Sequence, residues 1–341
     1  MIKQIELNNF RNFDKVSFDT NCRLVIFQGR NATGKTSILE AIYLVSTSKS
    51  HRTQDLSLLL KDGCQYGWCN ITAFKQYKVV LSKDKRTFFI NKMQVKKVSD
   101  FVGKLRVTMF SPLDINLVNG SRSIRRRMLD LEISLLDSKY LNLLSNYKKI
   151  LSERNNFLKS KNIDKTYLET IDITLTNLID GIYKRRIQFL DSINKRLEEI
   201  SKGLELPKVY LEYKSSFNPS DIKKSLKEKM QYDILTKTTN IGVHRDDFII
   251  KIGNYVAVDY ASEGQRRLIS IAIKLAIKEE IEEITKEDVI LLLDDVFASL
   301  DIKHIELLIK EVLKSKQVFI TTTSILEIPD YLLEKSLVIK I

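Results

Sequence analysis

Alternating hydrophobic and polar positions dominate the first 110 residues, and this alternation predicts short β-strands. Strands are expected at 2–8, 23–28, 66–74, 77–82, 87–91 and 105–110. Between the second and third of these strands, apolar residues recur at helical spacing, so one helix is expected near 35–48. The N-terminal third is therefore predicted to be a β-rich lobe around a single helix.

The pattern changes near residue 112. From Ser121 to about Lys202 there is no proline and no strand pattern, and helices are expected at 123–136 and 139–159. A longer apolar stripe runs from Leu168 to Ile200, with Arg186 standing where an apolar residue is due. This stripe could form a dimerising coiled coil or pack the helices of one lobe together. The charges that flank it follow no sustained e/g pattern, which favours packing within one lobe.

Mixed α/β character returns toward the end of the sequence. A strand is expected at 208–213, followed by a polar connector. Further strands are expected at 248–252, 255–260, 289–293 and 317–322, with helices from 263 and near 302–314. The sequence thus predicts an α/β domain, formed by 1–112 and 240–341, that is interrupted by a helical insert at 113–239.

A glycine-rich stretch separates the strand at 23–28 from the helix that follows it. Its residues are Gly29, Arg30, Asn31, Ala32, Thr33, Gly34, Lys35 and Thr36, followed by Ser37. This is the G-x-x-x-x-G-K-[ST] pattern of a P-loop, in its required strand–loop–helix context. Backbone N–H groups would face a phosphate, Lys35 would reach the β- and γ-phosphates, and the Thr36 hydroxyl would ligate Mg²⁺. The chain is therefore predicted to bind a nucleoside triphosphate.

A second half of such a site follows the apolar run at 289–293. Asp294 and Asp295 come directly after this run, which is typical of a buried parallel strand. Ligands in open α/β sheets lie at the carboxyl ends of such strands. Asp294 is expected to hold Mg²⁺, directly or through water, and Asp295 to orient or polarise the attacking water.

The basic charge of the chain is clustered. The net charge is +13, and residues 74–97 hold eight Lys or Arg against Asp84 alone. Residues 121–160 hold nine against four acids. Such clusters can be merely solvated surface, but in a P-loop protein they favour a polyanion such as nucleic acid.

The sequence points to a cytoplasmic protein without a membrane partner. Cys22, Cys64 and Cys69 are few and lack zinc spacing, which indicates reduced thiols. Met1 leads directly into a strand pattern, and no apolar run approaches transmembrane length.

A third motif opens the helix expected from 263. Ser262 is a good N-cap, Gly264 permits close approach of an anion, and Gln265 follows. Together with the P-loop, the acidic strand end and Ser299-Leu300-Asp301, this motif resembles the ABC-type ATPase head in order. The resemblance implies that these later motifs complete the ATP site of a second copy, with Ser262 and Gly264 touching the γ-phosphate. ATP would then hold a homodimer together, and hydrolysis would release it.

Further motifs resemble the RecF family of bacterial DNA-repair ATPases. The resemblance rests on 5–13, 50–53, 110–114, Gly120-Ser121 with Arg125-Arg126-Arg127, 242–247 and 293–296, and it covers nearly the whole chain in order. It implies an α/β fold in which an ABC-type ATPase head, with a parallel sheet core and an antiparallel β lobe, carries an inserted α-helical arm. It also implies ATP-dependent dimerisation on single-stranded, gapped or junction DNA. RecR and RecO would be partners in loading the RecA recombinase during DNA replication, repair and the SOS response.

Some positions depart from the patterns of these ATPases. Ala32 stands where glycine is usual, so a Cβ must fit there, and ATP binding is expected to survive. Thr321-Thr322-Thr323 stands where transporters carry a switch histidine. Thr323 can hydrogen-bond a γ-phosphate but cannot titrate, so slow hydrolysis is expected. The usual Mg²⁺-coordinating Gln has no clear equivalent, although Asp114 lies near that point.

Other residues that could belong to a functional site have two possible interpretations each. Arg52, just beyond the P-loop helix, is either a phosphate or DNA contact or a surface arginine. Arg125, Arg126 and Arg127 are consecutive on a helix, so two at most could contact one phosphate row. The turn at 244–247 is either catalytic or a structural turn tied by Arg–Asp pairs.

A DNA-binding ATPase that acts as a switch is the favoured interpretation. An ATP-powered transport subunit is disfavoured by the helical insert and the basic lobe. An ATP-dependent nuclease would need a further metal-binding domain, for which no room is expected after the last strand. A scaffold without ATPase activity is disfavoured because each expected ATP-site motif is present. Contacts to DNA are expected to be mainly to phosphate, and hence salt-sensitive with little sequence preference.

Overall fold

Fourteen β-strands and ten α-helices are found in the computed structural model, which describes residues 1–160, 162–298, 300–324 and 328–341. The strands are β1 (Gln4–Phe10), β2 (Phe13–Asp19), β3 (Leu24–Gln28), β4 (Tyr66–Thr72), β5 (Gln76–Ser82), β6 (Arg86–Ile90), β7 (Met93–Val95), β8 (Val107–Phe110), β9 (Val209–Lys214), β10 (Asp247–Ile252), β11 (Tyr255–Val256), β12 (Ile290–Leu293), β13 (Val318–Thr322) and β14 (Leu337–Lys340). The helices are α1 (Lys35–Thr47), α2 (Asn116–Asn119), α3 (Arg122–Leu136), α4 (Ser138–Phe157), α5 (Lys165–Gly203), α6 (Ile222–Thr236), α7 (Ala257–Tyr260), α8 (Glu263–Thr285), α9 (Ile302–Val312) and α10 (Asp330–Leu333).

One compact unit comprises Met1–Ile115, Ile200–Leu206 and Glu263–Ile341, and it contains two sheets. The first sheet has the order β14-β3-β13-β12-β8, and all its neighbouring strands are parallel. The second has the order β2-β1-β4-β5-β6-β7 and is antiparallel throughout. The α/β class expected from the sequence is confirmed, with a parallel core sheet and an antiparallel lobe.

Helix α1 lies against strands of both sheets, which explains why its side chains are buried on most sides. It begins after Gly34, a left-handed residue with φ 110°, and ends at Ser48, another left-handed residue whose N–H donates to the Leu44 carbonyl. Its position fixes the loop that precedes it at the carboxyl end of β3.

The other compact unit comprises Asn116–Glu199 and Pro207–Ser262. It contains helices and the three-stranded antiparallel sheet β11-β10-β9. Residues 240–262, which the sequence places in the α/β domain, lie in this unit.

The long apolar stripe belongs to the single 39-residue helix α5. Leu175, Ile182 and Ile193 on this stripe are fully buried within one copy of the chain, which fits packing within one lobe rather than an open dimerisation seam. Arg186, the polar residue in the stripe, is also buried. Its burial is tolerated because its guanidinium donates hydrogen bonds to Asp130 and to the Val243 carbonyl.

Three sequence expectations were wrong in detail. The expected strand at 255–260 is the short strand β11 followed by helix α7, and the expected polar connector contains helix α6. Strands β2, β7 and β14 were not expected. Within the described ranges, no helix combines the length and the apolar composition that a membrane span requires.

Candidate functional site

The loop between β3 and α1 curls tightly, and two of its residues have left-handed backbone angles. Ala32 has φ 66° and Gly34 has φ 110°. A Cβ at Gly34 would lie 2.6 Å from Cζ of Phe13, and one at Gly29 would lie 2.5 Å from the carbonyl oxygen of Ile341. Glycine is therefore required at both ends of the loop, whereas position 32 accepts a side chain at a cost of about 1–2 kcal/mol for its left-handed backbone.

Lys35 is folded back onto this loop. Its Nζ donates to the carbonyl oxygens of Gly29 (2.7 Å) and Arg30 (2.8 Å). Burial lowers the pKa of Lys35, and this shift is opposed by the nearby charges of Asp295 and Asp294. The ammonium thus lies against two backbone carbonyls of the loop, and a bound anion would replace these two contacts.

Asp294 lies at the carboxyl end of β12, directly beside the P-loop helix. Its Oδ1 accepts hydrogen bonds from the hydroxyls of Thr36 (2.9 Å) and Thr321 (2.8 Å). Burial raises the pKa of Asp294 above its usual value, although both hydroxyls oppose that shift. The expected meeting of Thr36 with Asp294 is therefore present, and Thr321 is an additional member that the sequence did not indicate.

Asp295 adopts a left-handed conformation with φ 48°. Its N–H donates to Oγ1 of Thr321 (2.9 Å), and its carbonyl accepts from the Arg267 guanidinium. Arg267 also donates to the Val296 carbonyl (3.3 Å) and lies over the Phe110 ring. The acidic turn is thus held by β13 on one side and by α8 on the other.

These residues surround a cleft of about 530 Å³. The described residues that line it are Arg11, Asn12, Asn31, Ala32, Gly34, Lys35, Thr36, Ser37, Arg52, Leu58, Leu60, Pro112, Asp294, Asp295, Thr321 and Thr323. Gly29, Arg30 and Thr33 belong to the loop but are not among those lining residues. Most of the P-loop residues expected from the sequence, both acids, Arg52 and Thr323 therefore share one cavity.

Two arginines in this cavity are anchored by one buried carboxylate. Glu40 of α1 is fully buried, and its oxygens accept from Nε (2.8 Å) and Nη2 (2.6 Å) of Arg11. Arg52 lies 3.7 Å from the same carboxylate and keeps 44% of its side chain exposed. Arg11 was not expected as a site residue, although the motif at 5–13 contains it.

The β1–β2 turn contributes a further contact to the loop. Nδ2 of Asn12 donates to the Thr33 carbonyl (2.9 Å), and Phe13 lies against Gly34. This contact gives a structural reason for the Asn12-Phe13 pair at the end of that motif.

The oxygen atoms of Thr36 and Asp294 suit a magnesium ion whose other ligands are phosphate and water oxygens. Thr36 and Asp294 place a hydroxyl and a carboxylate oxygen together, and Mg²⁺ usually takes only one or two protein ligands beside phosphates and water. Among the described residues, no group of three or more His, Cys, Asp or Glu side chains could hold a metal by itself. Asp114, considered as a further ligand, instead accepts from Ser111 and pairs with Lys274.

The remaining expected nucleotide contacts lie on other elements. Gly264 and Gln265 are in the first turn of α8, and neither is among the described residues that line the cleft; Ser262 immediately precedes this helix. Asp301 caps α9 by accepting from the His304 N–H (2.8 Å). Ser299 lies outside the described residues. A role of these residues toward a second copy stays a prediction.

Two of the three consecutive arginines on α3 are engaged inside their own unit. Nε and Nη2 of Arg125 donate to Asp247, each at 2.8 Å, and Nη1 of Arg126 donates to the Asp246 carbonyl (2.7 Å). Arg127 is exposed. Phosphate contact by Arg125 would require its bidentate bonds to Asp247 to break.

The turn at 244–247 is tied to its surroundings by hydrogen bonds. The Asp246 carboxylate accepts from Tyr213 (2.6 Å) and from Ser216 (2.7 Å). His244 accepts at Nδ1 from Tyr147 (2.6 Å), because its Nε2 must donate to the Thr239 carbonyl (3.0 Å). These contacts favour the structural interpretation of the turn.

Comparisons with known proteins agree on one family. The family model described as the RecF/RecN/SMC N terminal domain matches residues 1–328. The DNA replication and repair protein RecF of Acholeplasma laidlawii is 41% identical over 329 residues, covering 94% of this chain and 93% of its own. The protein of that name from Clostridium perfringens is 35% identical, covering 100% and 98%.

Solved structures give the same result. A structure of the recombination mediator protein RecF-ATP in the RecFOR pathway superposes with a TM-score of 0.86 at 30% identity, covering 95% of this chain and 92% of the other. An Smc head bound to the C-winged helix domain of ScpA has a TM-score of 0.56 at 16% identity, covering 98% of this chain and 91% of the other, and this likeness concerns the fold alone.

Proposed function

The chain belongs to the RecF family, and from that premise we propose that it is an ATP-dependent DNA-binding protein of DNA replication and recombinational repair. The observation that carries this proposal is the placement of Lys35, Thr36 and the Asp294–Asp295 turn around one cleft. The name of a similar structure, RecF-ATP, supports ATP as the nucleotide. The division into an ATPase head and a helical arm, and a cytoplasmic location, are parts of the same proposal.

The P-loop binds the triphosphate. The N–H groups of Asn31 to Thr36 face its oxygens, and Lys35 exchanges its bonds to Gly29 and Arg30 for the β- and γ-phosphates. Thr36 and Asp294 would hold Mg²⁺, and a bound Mg²⁺ would supply positive charge beside the phosphates. Asp295 orients or polarises the attacking water, and Arg52 contributes positive charge at the rim.

A second copy completes the site. Ser262, Gly264 and Gln265 would meet the γ-phosphate bound by the partner, with Asp301 nearby, so that ATP joins two copies. That Gly264 and Gln265 are absent from the cleft lining of their own copy supports this arrangement, as far as the described residues go. Thr323 lies at the cleft without a titratable group, which supports slow hydrolysis. Stimulation of this hydrolysis by DNA is part of the same proposal.

DNA is the proposed polyanion, in single-stranded, gapped or junction form. The basic run at 74–97, within the antiparallel sheet, supports this assignment. The RecFOR pathway in the name of the similar structure supports RecR and RecO as partners. Loading of RecA at gaps and support of the SOS response are the biological consequence that we propose.

The test is the oligomeric mass of Asp295→Asn protein, with and without ATP–Mg²⁺ and with and without gapped duplex DNA. This variant blocks hydrolysis, so a monomer that becomes a dimer only with ATP, and persists on DNA, is the expected result. Ser262→Arg should then bind ATP normally but stay monomeric. A mass unchanged by ATP would remove the dimer switch and leave only nucleotide binding.

Lys35→Ala separates the two parts of the proposal. It should abolish ATP binding and dimerisation together, because both depend on the triphosphate. Nucleotide affinity that survives this substitution would contradict the assignment of the P-loop as the ATP site.

A further inference from the structure

The antiparallel sheet has one face that the nucleotide cleft does not use. Along β5 the burial alternates, with Tyr77, Val79 and Leu81 buried in the core and the residues between them half-exposed. The strand register places Trp68 opposite Val80 and Lys78 opposite Phe89, all on the half-exposed side. We call these four residues, together with Tyr66, the outer aromatic face.

A cation covers one aromatic ring of this face. Nζ of Lys78 is 4.2 Å from the centroid of the Trp68 ring, and Lys78 is the cross-strand neighbour of Phe89. Tyr66, two residues before Trp68 on the same side of β4, is 66% exposed. A half-exposed tryptophan covered by a lysine is a cation–π pair that a flat π-ligand could replace or extend.

Lysines border this face at both ends. Exposed Lys83 and Lys85 lie in the β5–β6 turn, next to the end of β4 that carries Tyr66. Exposed Lys75 lies in the β4–β5 turn and exposed Lys92 in the β6–β7 turn, both at the other end of these strands. Within 74–97 the only acid is Asp84, and the neighbouring strand β1 adds Glu6, which lies opposite Asn70 on the same face. Lysines thus outnumber acids around the rings, and the surface carries net positive charge.

We propose that the outer aromatic face binds single-stranded nucleic acid, with bases stacked on Trp68 and Phe89 and phosphates at the bordering lysines. Aromatic platforms flanked by cations bind single strands with little sequence preference, because every base offers a π-face. The excess of positive charge favours a nucleic acid over a protein partner. This inference rests on the proposed DNA function and assigns it a surface.

Trp68 is the single tryptophan of the chain, so its emission reports directly on this face. The full-length protein is titrated with short oligothymidylate while binding is followed separately by the anisotropy of a labelled strand. Quenching of Trp68 that follows the anisotropy curve is the expected result. An abasic strand of equal length should bind more weakly and leave the emission almost unchanged, because it offers phosphates without bases.

Substitutions distinguish the contribution of base stacking to binding from the contribution of charge. Phe89→Leu should weaken oligothymidylate binding about tenfold, the scale of one lost base stack, whereas Phe89→Tyr should keep wild-type affinity. Lys78→Ala should weaken binding and reduce the salt dependence. Lys104→Ala, which removes an equal charge from an exposed position outside the face, is the matched control and should change affinity less than about twofold.

The outcomes separate this inference from the proposed function. DNA binding by anisotropy without a Trp68 response, or equal quenching by the abasic strand, would overturn the outer aromatic face as a base platform and leave DNA binding intact. If the wild-type protein binds no DNA even at low salt, both the aromatic platform and the proposed DNA-binding function are wrong. A Trp68 response to a repair protein but not to DNA would identify the face as a protein-docking surface instead.

Discussion

At the residue scale, a single hydroxyl organises the acidic side of the cleft. Oγ1 of Thr321 donates to the Asp294 carboxylate and accepts from the Asp295 N–H, so one side chain positions both acids. The hydroxyl of Thr36 approaches the same carboxylate oxygen from the other side. The geometry of the cleft thus depends on a residue of β13 that makes no proposed contact with nucleotide.

Thr321→Val should disturb this arrangement without changing side-chain volume. The Asp295 amide loses its acceptor and Asp294 loses a donor, so the free energy of unfolding should fall by about 1–3 kcal/mol, and the Mg²⁺-dependent affinity for ATP should fall with it. Urea unfolding and nucleotide titration measure the two effects. Thr321→Ser keeps the hydroxyl and should retain most of the stability and most of the ATP affinity. Equal losses in Thr321→Ser and Thr321→Val would contradict the hydrogen-bond explanation.

Ala32→Gly tests the left-handed residue of the P-loop. Relief of the strain at φ 66° should outweigh the extra freedom of glycine in the unfolded chain, with a net gain of up to about 1 kcal/mol. Thermal unfolding measures the gain. Ala41→Gly, the same substitution in the buried interior of α1, should instead lower stability by at least about 1 kcal/mol.

At the element scale, buried polar groups fix how the helices of the second unit pack. The two ring nitrogens of His244 bond to Tyr147 on α4 and to the Thr239 carbonyl, so the ring links α4 to the segment before β10. Burial lowers the pKa of His244 to about 4 from its ordinary 6.5. The folded unit therefore holds this histidine neutral.

The sign of the resulting pH dependence follows from linkage. Between pH 6.5 and about 4, His244 is protonated in the unfolded chain but neutral in the folded chain. The free energy of unfolding should therefore fall as the pH falls through that window. His51, whose pKa burial also lowers to about 4, adds to the same slope. His244→Gln should flatten the profile by about 3 kcal/mol across the window. An unchanged slope in urea unfolding would contradict the buried neutral state.

The arginines of α3 should differ in how much they stabilise the protein, according to whether they pair with an acid. Arg125→Ala leaves the mostly buried Asp247 without its bidentate partner and should lower stability by about 1–3 kcal/mol. Arg127→Ala, at an exposed position of the same helix, should change stability by less than about 0.5 kcal/mol. Urea unfolding of both variants decides; the reverse ranking would mean that the Arg125–Asp247 pair does not stabilise the unit.

Much of the fold was predictable because its signals are local. The P-loop, the apolar runs of β12 and β13 and the period of α5 each depend on residues close together in sequence. Helix α6 was missed because its buried face carries only three apolar residues, Ile222, Leu226 and Met230, and then the polar Asp233. The strand at 255–260 was expected from Tyr255-Val256, although the chain turns into α7 directly afterwards. The roles of Thr321 and Arg11 require neighbours from distant elements that no local pattern specifies. Thr321 approaches Asp294 only because β12 pairs in register with β13, and Arg11 meets Glu40 only because α1 packs beside the β1–β2 turn.

At the scale of the whole molecule, the excess of 13 positive charges is expected to govern the proposed association with DNA. Most contacts are expected to be to phosphate, so the affinity for gapped duplex DNA should fall at least about tenfold between low and physiological salt and vary little with sequence. Anisotropy titrations at several salt concentrations, on two unrelated sequences, measure this. Affinity that is insensitive to salt would contradict an electrostatic binding surface.

The strand order of the parallel sheet also has a consequence for synthesis on the ribosome. Strand β3, which leads into the P-loop, pairs only with β13 and β14 among the described strands, and roughly 290 residues separate Gln28 from Val318. At about 5–20 residues per second, the nascent chain waits on the order of 15–60 s before β3 can acquire a neighbour in its sheet. A transcript truncated before β13 would therefore yield a polypeptide that carries the entire P-loop sequence and cannot form its site.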